Sequence, residues 1–145
     1  MSTAEAHEPD RHRSDPPVDQ EVLDAAVAAR ARAYAPYSGF RMGAAVRTTT
    51  GGIVPGALVE NVSLGLAMCA ERVALFATVA AGERPAALAL VSRRTAGELT
   101  HPCGACLQVA LELGGPEVEV TVSDLRGVTA TTTVGELLPR GPHRP

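Results

Sequence analysis

Three cysteines and one glutamate carry the strongest chemical signal in this 145-residue sequence. Cys69 and Glu71 stand two residues apart, and Cys103 and Cys106 form a Cys-x-x-Cys pair further along the chain. Three thiolates leave the fourth tetrahedral position of a zinc ion open to water, which is typical of catalytic rather than structural zinc sites. Glu71 is close enough in sequence to accept a proton from that water without binding the metal. The spacing therefore predicts one Zn²⁺ per chain, with Glu71 as the proton shuttle.

Arg72, directly after Glu71, is expected to offset the negative charge of the thiolates. Three thiolates on one Zn²⁺ leave a net charge of about −1, and a guanidinium that hydrogen-bonds the sulfurs would compensate for it. The alternatives are that the cysteines are buried packing residues or structural zinc ligands, and that Arg72 lies on an exposed helix face. The absence of a fourth cysteine and the neighbouring carboxylate favour the catalytic interpretation.

Local sequence signals predict the elements that position these residues. A helix is expected to begin after the N-cap residue Asp19 and to end at Pro36. Its apolar face would comprise Leu23, Ala26, Val27 and Tyr34. Two hairpin strands are expected over 42–49 and 53–58, and further strands over 86–92, 117–124 and 128–134. Helices are expected over 68–82 and from Pro102, in the first turn, to the glycines at 114–115. This alternation favours an α/β fold with a sheet covered on both faces.

Composition limits the classes of function that remain open. Trp is absent and Phe and Tyr are scarce, so the core is expected to be aliphatic. The net charge of −3 gives no indication of a nucleic-acid partner, and the arginines at 11, 13, 30, 32, 93 and 94 are interpreted as solvated surface. No apolar run is long enough for a membrane span, and the N-terminus lacks the apolar region of a signal peptide. These features predict a cytoplasmic protein with reduced thiols.

The length is that of one domain, with a short polar segment at each end. Residues 1–17 combine charges and prolines without apolar periodicity and are expected to form a disordered tail. Residues 18–139 would form the domain that holds the zinc motifs. Residues 140–145 are rich in proline and glycine and are expected to be a loose tail.

Cys-x-Glu followed by Pro-Cys-x-x-Cys resembles the zinc motifs of the small, homotetrameric, three-cysteine cytidine deaminases. The resemblance covers roughly residues 20–139 and includes the segments 34–45, 59–63, 69–72, 102–108 and 135–139. It implies a three-layer α-β-α fold with a mixed five-stranded sheet and a homotetrameric assembly. It also implies an enzyme of pyrimidine salvage that converts cytidine or deoxycytidine to the uridine product and releases ammonia.

The same resemblance implies a set of substrate contacts. Phe40 would pack against the pyrimidine ring, and Glu60 would bind the ribose 3′-hydroxyl. Glu71 would contact the ring N3 and the leaving amine, and the backbone N–H of Ala70 would contact the pyrimidine O2. The carbonyl of His101 would accept a hydrogen bond from the amine, while its side chain is interpreted as a wall of the pocket.

Three positions depart from the family pattern at substrate contacts. Leu58 stands where the family usually has an Asn that pairs with Glu60 on the ribose. Leu64 stands where it usually has a Tyr that reaches the nucleoside of a neighbouring subunit. Pro142 stands near the position of a Phe that often stacks on the base from another subunit. An apolar side chain cannot replace an amide, and such a loss costs about 1–3 kcal/mol. One alternative is therefore the same reaction on a modified nucleoside or another aminopyrimidine, as in the blasticidin S deaminases. The other is a non-catalytic, zinc-stabilised binding module, which would have no need of Glu71.

Overall fold

The computed structural model describes residues 17–145. Its elements are α1 (Gln20–Arg30), β1 (Met42–Thr48), β2 (Ile53–Ala57), α2 (Ala70–Ala80), β3 (Pro85–Ser92), α3 (Gly104–Gly114), β4 (Glu119–Ser123), β5 (Thr129–Thr133) and α4 (Val134–Leu137). A 3₁₀ helix, Leu64–Leu66, lies between β2 and α2. The predicted order of helices and strands is thus confirmed. The predicted disordered tail lies outside the described residues except for its last position. Within the described part, no helix has the length and hydropathy that a membrane crossing requires.

The five strands form one sheet in the order β2-β1-β3-β4-β5. The pair β3–β4 is parallel, and the other three pairs are antiparallel, so the mixed five-stranded sheet is confirmed. A parallel pair requires a crossover connection, and α3 supplies it between β3 and β4. Because α3 begins after the end of β3, its N-terminus lies at the carboxyl edge of these strands. The topology thereby brings the Cys-x-x-Cys pair to that edge.

Helices cover both faces of the sheet, in agreement with the predicted three layers. On one face, α1 packs against β1 and β3 through the buried residues Val22, Leu23, Ala26, Ala45, Ala89 and Val91. On the other face, α2 and α3 pack against the central strands around a cluster that includes Ala74, Leu75, Leu88, Leu90, Leu107, Leu111, Val120 and Val122. The buried hydrophobic residues of the described range include no aromatic side chain and are mainly Ala, Val and Leu, as the composition predicts.

Two glycines allow helices to lie directly on the sheet backbone. A Cβ atom at Gly43 would be 2.1 Å from the carbonyl oxygen of Ala26 in α1. A Cβ atom at Gly56 would be 2.4 Å from the nitrogen of Ala74 and 2.5 Å from the carbonyl oxygen of Ala70 in α2. Because a residue with a Cβ atom could not make any of these three contacts, the two glycines set how closely the helices approach. The contact at Gly56 fixes the first turn of α2, where Glu71 lies.

The structure corrects three details of the predicted helices. α1 ends at Arg30 rather than near Pro36, and two residues of its predicted apolar face, Val27 and Tyr34, are 52% and 56% exposed. The chain leaves the helix because the backbone of Tyr34 pairs with the segment after β2. Its N–H donates to the carbonyl of Leu58 at 2.9 Å, and its carbonyl accepts from the N–H of Glu60 at 2.8 Å. Pro102 precedes α3 instead of lying in its first turn.

The C-terminal residues 140–145 contain no helix or strand, but they contact α3. The side-chain amide of Gln108 donates to the carbonyl of Pro142 at 2.8 Å. A Cβ atom at Gly141 would be 2.7 Å from the Leu111 side chain. The predicted domain limits of 18 and 139 stay predictions.

Candidate active site

The three cysteines meet where the N-termini of α2 and α3 approach each other. Cys69 is the N-cap of α2, Cys103 is the N-cap of α3, and Cys106 lies in the first turn of α3. The sulfurs of Cys69 and Cys103 are 3.9 Å apart, and those of Cys103 and Cys106 are 3.5 Å apart. All three lie within 4.8 Å of one another. Tetrahedral zinc with Zn–S bonds of about 2.3 Å requires sulfur separations of roughly 3.8 Å, so the cluster has the donor set and spacing of a zinc site.

The helix ends favour anionic sulfur. Neither Cys69 nor Cys103 caps its own helix through a side-chain hydrogen bond, so both sulfurs can face a shared ligand. A hydrogen bond from Cys106, aided by Arg72, lowers the pKa of the Cys69 thiol to about 5, although desolvation opposes the shift. Interaction with the neighbouring Cys69 and burial raise the pKa of the Cys106 thiol. Because the cysteines bind a metal ion as thiolates, metal binding releases protons from this cluster.

Arg72 lies against the cysteine cluster rather than on an open helix face. Its Nη2 donates to the sulfur of Cys69 at 3.6 Å. Its Nε is buried and has no hydrogen-bond partner among the described residues. The structure therefore brings together the cation and the thiolate that the sequence analysis paired.

Glu71 is the charged side chain that the fold buries most completely in the described range. It is 1% exposed, and its Oε2 atom has no hydrogen-bond partner within residues 17–145. Desolvation raises the pKa of Glu71 to about 7, and the charge of Cys69 adds to the shift. A buried carboxylate oxygen without a partner costs stability, and such groups in native proteins call for a functional explanation. The orphaned oxygen next to three thiols fits a site that receives a metal ion and a polar ligand.

A hydroxyl that sequence reasoning missed links two of the expected substrate residues. The Ser38 hydroxyl donates to Oε1 of Glu60 at 2.9 Å, and the Ser38 N–H lies 3.3 Å from both carboxylate oxygens. The N–H of Phe40 in turn donates to the Ser38 oxygen at 3.0 Å. The available signal was that Ser38 lies within the motif 34–45 and can both donate and accept. Ser38 therefore holds the Glu60 carboxylate next to the segment that carries Phe40.

The other two expected contact residues lie close in sequence to the expected metal ligands. Ala70 is the buried first residue of α2, so its backbone N–H is one of those without an acceptor inside the helix. His101 is exposed, and its Nδ1 lies 3.2 Å from the carbonyl oxygen of Leu99. Among the described residues His101 does not join the cluster of potential ligands. Its expected role as a pocket wall stays a prediction.

The three departures from the family pattern lie in different environments. Leu58 is partly buried and packs against the main core cluster. Leu64, the first residue of the 3₁₀ helix, is 85% exposed. Pro142 is fixed through its carbonyl by Gln108. Leu58 thus places an apolar side chain against the core at the sequence position where the family pattern has an amide.

Comparison with known proteins places this site in a family. A family model described as the cytidine and deoxycytidylate deaminase zinc-binding region matches residues 16–122, which include all three cysteines and Glu71. The chain belongs to this deaminase family. The cytidine deaminase of Halalkalibacterium halodurans is 42% identical over 120 residues, which are 83% of this deaminase and 90% of the relative. The cytidine deaminase of Mycobacterium tuberculosis is 46% identical over 105 residues, which are 71% and 77% of the two chains.

Solved structures agree with this assignment. The crystal structure of cytidine deaminase from Burkholderia pseudomallei is 47% identical, with a TM-score of 0.80 over 86% of this deaminase and 99% of that chain. The cytidine deaminase from Mycobacterium leprae is 40% identical, with a TM-score of 0.71. The predicted family, the α/β fold and the class of hydrolytic deaminase are confirmed. The family's zinc-binding region and the three-cysteine cluster together confirm the prediction of a zinc cofactor.

Proposed function

We propose that this deaminase hydrolyses cytidine and deoxycytidine to uridine and deoxyuridine, with release of ammonia. The observation that carries the proposal is the buried Glu71 carboxylate, which has one oxygen without a partner and stands beside thiols at zinc-site spacing. A structural zinc site has no need of such a carboxylate. Relatives that are 42% and 46% identical are named cytidine deaminases, which supports the choice of substrate.

Cys69, Cys103 and Cys106 are the proposed ligands of one Zn²⁺, and the fourth position is left for water. A zinc ion held by these residues would supply a Lewis acid that lowers the pKa of water toward neutrality. Arg72 offsets the negative charge of the thiolates through its contact with Cys69 at 3.6 Å. Compensation of this kind keeps three thiolates from weakening the Lewis acidity.

Glu71 is the proposed carrier of every proton in the reaction. As water adds to C4 of the base, a C–O bond forms and Glu71 accepts the proton that water loses. Glu71 then delivers that proton to the ring N3. It next accepts the proton of the new C4 hydroxyl and passes it to the amine, so that the C4–N bond breaks, ammonia leaves and C4 keeps a carbonyl oxygen. A pKa of about 7, raised chiefly by burial, suits a group that both accepts and delivers protons near neutral pH.

The substrate contacts follow the family pattern. Phe40 packs against the pyrimidine, the Ala70 N–H donates to O2, and the His101 carbonyl accepts from the amine. Glu60 binds the ribose 3′-hydroxyl, with its carboxylate held by the Ser38 hydroxyl at 2.9 Å. The apolar Leu58, two residues before Glu60 in the sequence, favours weak discrimination between ribose and deoxyribose, and it supports the alternative substrates, a modified nucleoside or another aminopyrimidine.

Ammonia release from a panel of substrates tests the proposal. The panel contains cytidine, deoxycytidine, modified cytosine nucleosides and free aminopyrimidines, and zinc content is measured on the same preparation. A kcat/KM that is highest for cytidine or deoxycytidine supports the proposal. A higher kcat/KM for another member of the panel would identify that compound as the substrate instead. One zinc per chain without ammonia from any substrate would identify a zinc-stabilised binding module instead.

The homotetramer is a further proposal. The groove between α2 and α3 has a volume of about 550 Å³ and is lined by Phe76, Val79, Gln108, Val109, Glu112 and Leu113. Phe76 and Val79 are about half exposed in the single chain, and a second copy would cover them. Light scattering during size-exclusion chromatography should give about four times the chain mass of 14.9 kDa. The proposed cytoplasmic location suits three reduced thiols, and cell fractionation tests it.

A further inference from the structure

Two consecutive arginines that follow β3 make specific contacts, although the sequence suggested only solvated surface. The guanidinium of Arg93 lies 4.8 Å from the ring centroid of Phe40. Arg94 donates from Nε to Oδ2 of Asp124 at 2.8 Å and from Nη1 to the carbonyl of Gly97 at 2.9 Å. Both arginines stand at the base of the loop 95–101, which leads to Cys103.

Asp124 is a firm anchor for Arg94. It is 6% exposed and lies directly after β4. Its Oδ1 accepts from the N–H groups of Arg126 at 2.9 Å and Val128 at 3.0 Å, so both carboxylate oxygens are engaged. Burial opposes ionisation, but the hydrogen bonds from Arg94 and the two backbone groups hold the pKa of Asp124 below its usual value. The charged partner of Arg94 is therefore fixed to the sheet.

The loop itself has a tight tip and a closed base. Thr95 and Glu98 exchange both backbone hydrogen bonds, and the two residues between them, Ala96 and Gly97, have positive φ angles of 51° and 82°. This is the geometry of a two-residue hairpin turn. At the base, the Thr100 hydroxyl donates to the Arg93 carbonyl at 3.0 Å. Arg94 therefore links the tip of this turn, through the Gly97 carbonyl, to the Asp124 carboxylate.

We propose that Arg94, held by Asp124, is a positioning residue that fixes the loop 95–101 and thereby the backbone carbonyl of His101. This inference rests on the proposed function, in which that carbonyl accepts a hydrogen bond from the substrate amine. His101 is two residues before Cys103, so the chain places it within about 8 Å of the metal ligand. The buried Pro102 between them limits backbone freedom on one side of His101. Arg94 restrains the chain on the other side.

Binding of uridine distinguishes loss of the positioned amine acceptor from general disruption of the substrate site. Uridine carries a carbonyl in place of the amine and cannot donate to His101, whereas cytidine can. Loss of one hydrogen bond of this kind corresponds to about fivefold to tenfold in affinity. We therefore expect Arg94→Ala to raise the KM for cytidine about fivefold to tenfold, with zinc content unchanged and the inhibition constant of uridine within about twofold of the wild-type value.

Arg126→Ala is the matched control. Arg126 lines the same cavity as Arg94 and loses the same charge on substitution, but its side chain makes no hydrogen bond or ion pair within the described residues. Arg94→Lys keeps the charge but lacks the planar guanidinium that donates to both Asp124 and Gly97. Its KM for cytidine should therefore lie between those of the wild type and Arg94→Ala. Asp124→Asn should raise KM in the same way, and the double variant should be less than additive.

Two results overturn the positioning role while the proposed function stands. In the first, the wild type deaminates cytidine, and the cytidine KM of both Arg94→Ala and Arg94→Lys equals that of Arg126→Ala. The other is an equal rise of the cytidine KM and the uridine inhibition constant, which indicates general disruption. A zinc-loaded wild type that releases no ammonia from cytidine overturns the proposed function, and the positioning role with it.

Discussion

The substitution Glu71→Gln separates an enzyme from a binding module most directly. Glutamine keeps the size of the side chain but cannot accept and deliver a proton. The Oε2 atom of Glu71 has no hydrogen-bond partner among the described residues, so the amide breaks no contact of that atom. Burial raises the pKa of Glu71 to about 7, and above that pH the folded protein contains a desolvated charge that glutamine lacks. We therefore expect the metal-free variant to be at least as stable as the wild type at pH 8.

The expected loss of activity follows from the number of protons that one side chain handles. General acid–base catalysis by one positioned group contributes about 10²–10⁴-fold, and in the proposed mechanism Glu71 serves the water, the ring N3 and the amine. A loss of at least roughly a thousandfold in kcat, or about 4 kcal/mol in activation free energy, is therefore expected. Zinc content should stay unchanged, because the three cysteines are the proposed ligands.

Ammonia release, zinc content and thermal unfolding are measured on the same preparations of wild type and variant. Near-normal turnover by a zinc-loaded Glu71→Gln protein would refute the proton-shuttle role. Loss of zinc together with activity would show that Glu71 supports the metal site, which contradicts the assignment of the ligands to the cysteines alone.

Three further substitutions test the substrate contacts and the stability of the fold. Leu58→Asn restores an amide beside Glu60 and should lower the KM for cytidine about tenfold; an unchanged KM would refute the assignment of this position to the ribose. Ser38→Ala frees the Glu60 carboxylate and should raise the KM for cytidine about fivefold, measured against free cytosine, which has no ribose and should be unaffected. Asp19→Ala removes the N-cap of α1, which accepts from Val22 at 3.3 Å, and should destabilise the protein by about 1 kcal/mol in denaturant unfolding, whereas Asp19→Asn keeps the cap. Hydrogen bonding with Arg47 lowers the pKa of Asp19, so its contribution is complete above the unfolded value of 3.8 and is lost as the pH falls; an equally steep acid limb in Asp19→Asn would contradict this.

Short-range signals account for what the sequence predicted well. The helix beginning at Asp19, the hairpin β1–β2 and the strand β3 follow from an N-cap, a glycine turn and an apolar run, and each of these acts within a few residues. The zinc cofactor was predictable because two cysteines lie three residues apart and the third stands two residues from a carboxylate. These patterns identify the residue types of the site without reference to the rest of the fold.

Contacts between distant segments were decided by the tertiary structure. Ser38 reaches Glu60 across 22 residues, and Arg94 reaches Asp124 across 30. α1 ends early because Tyr34 pairs with the segment after β2, a competition that helical periodicity does not show. Even the sulfurs of Cys69 and Cys103, 34 residues apart, come within 3.9 Å only because α2 and α3 start at the same edge of the sheet. Such contacts depend on strand order and on the close approach of helices at glycines, since local propensity acts over a few residues whereas packing joins any two segments that the topology brings together.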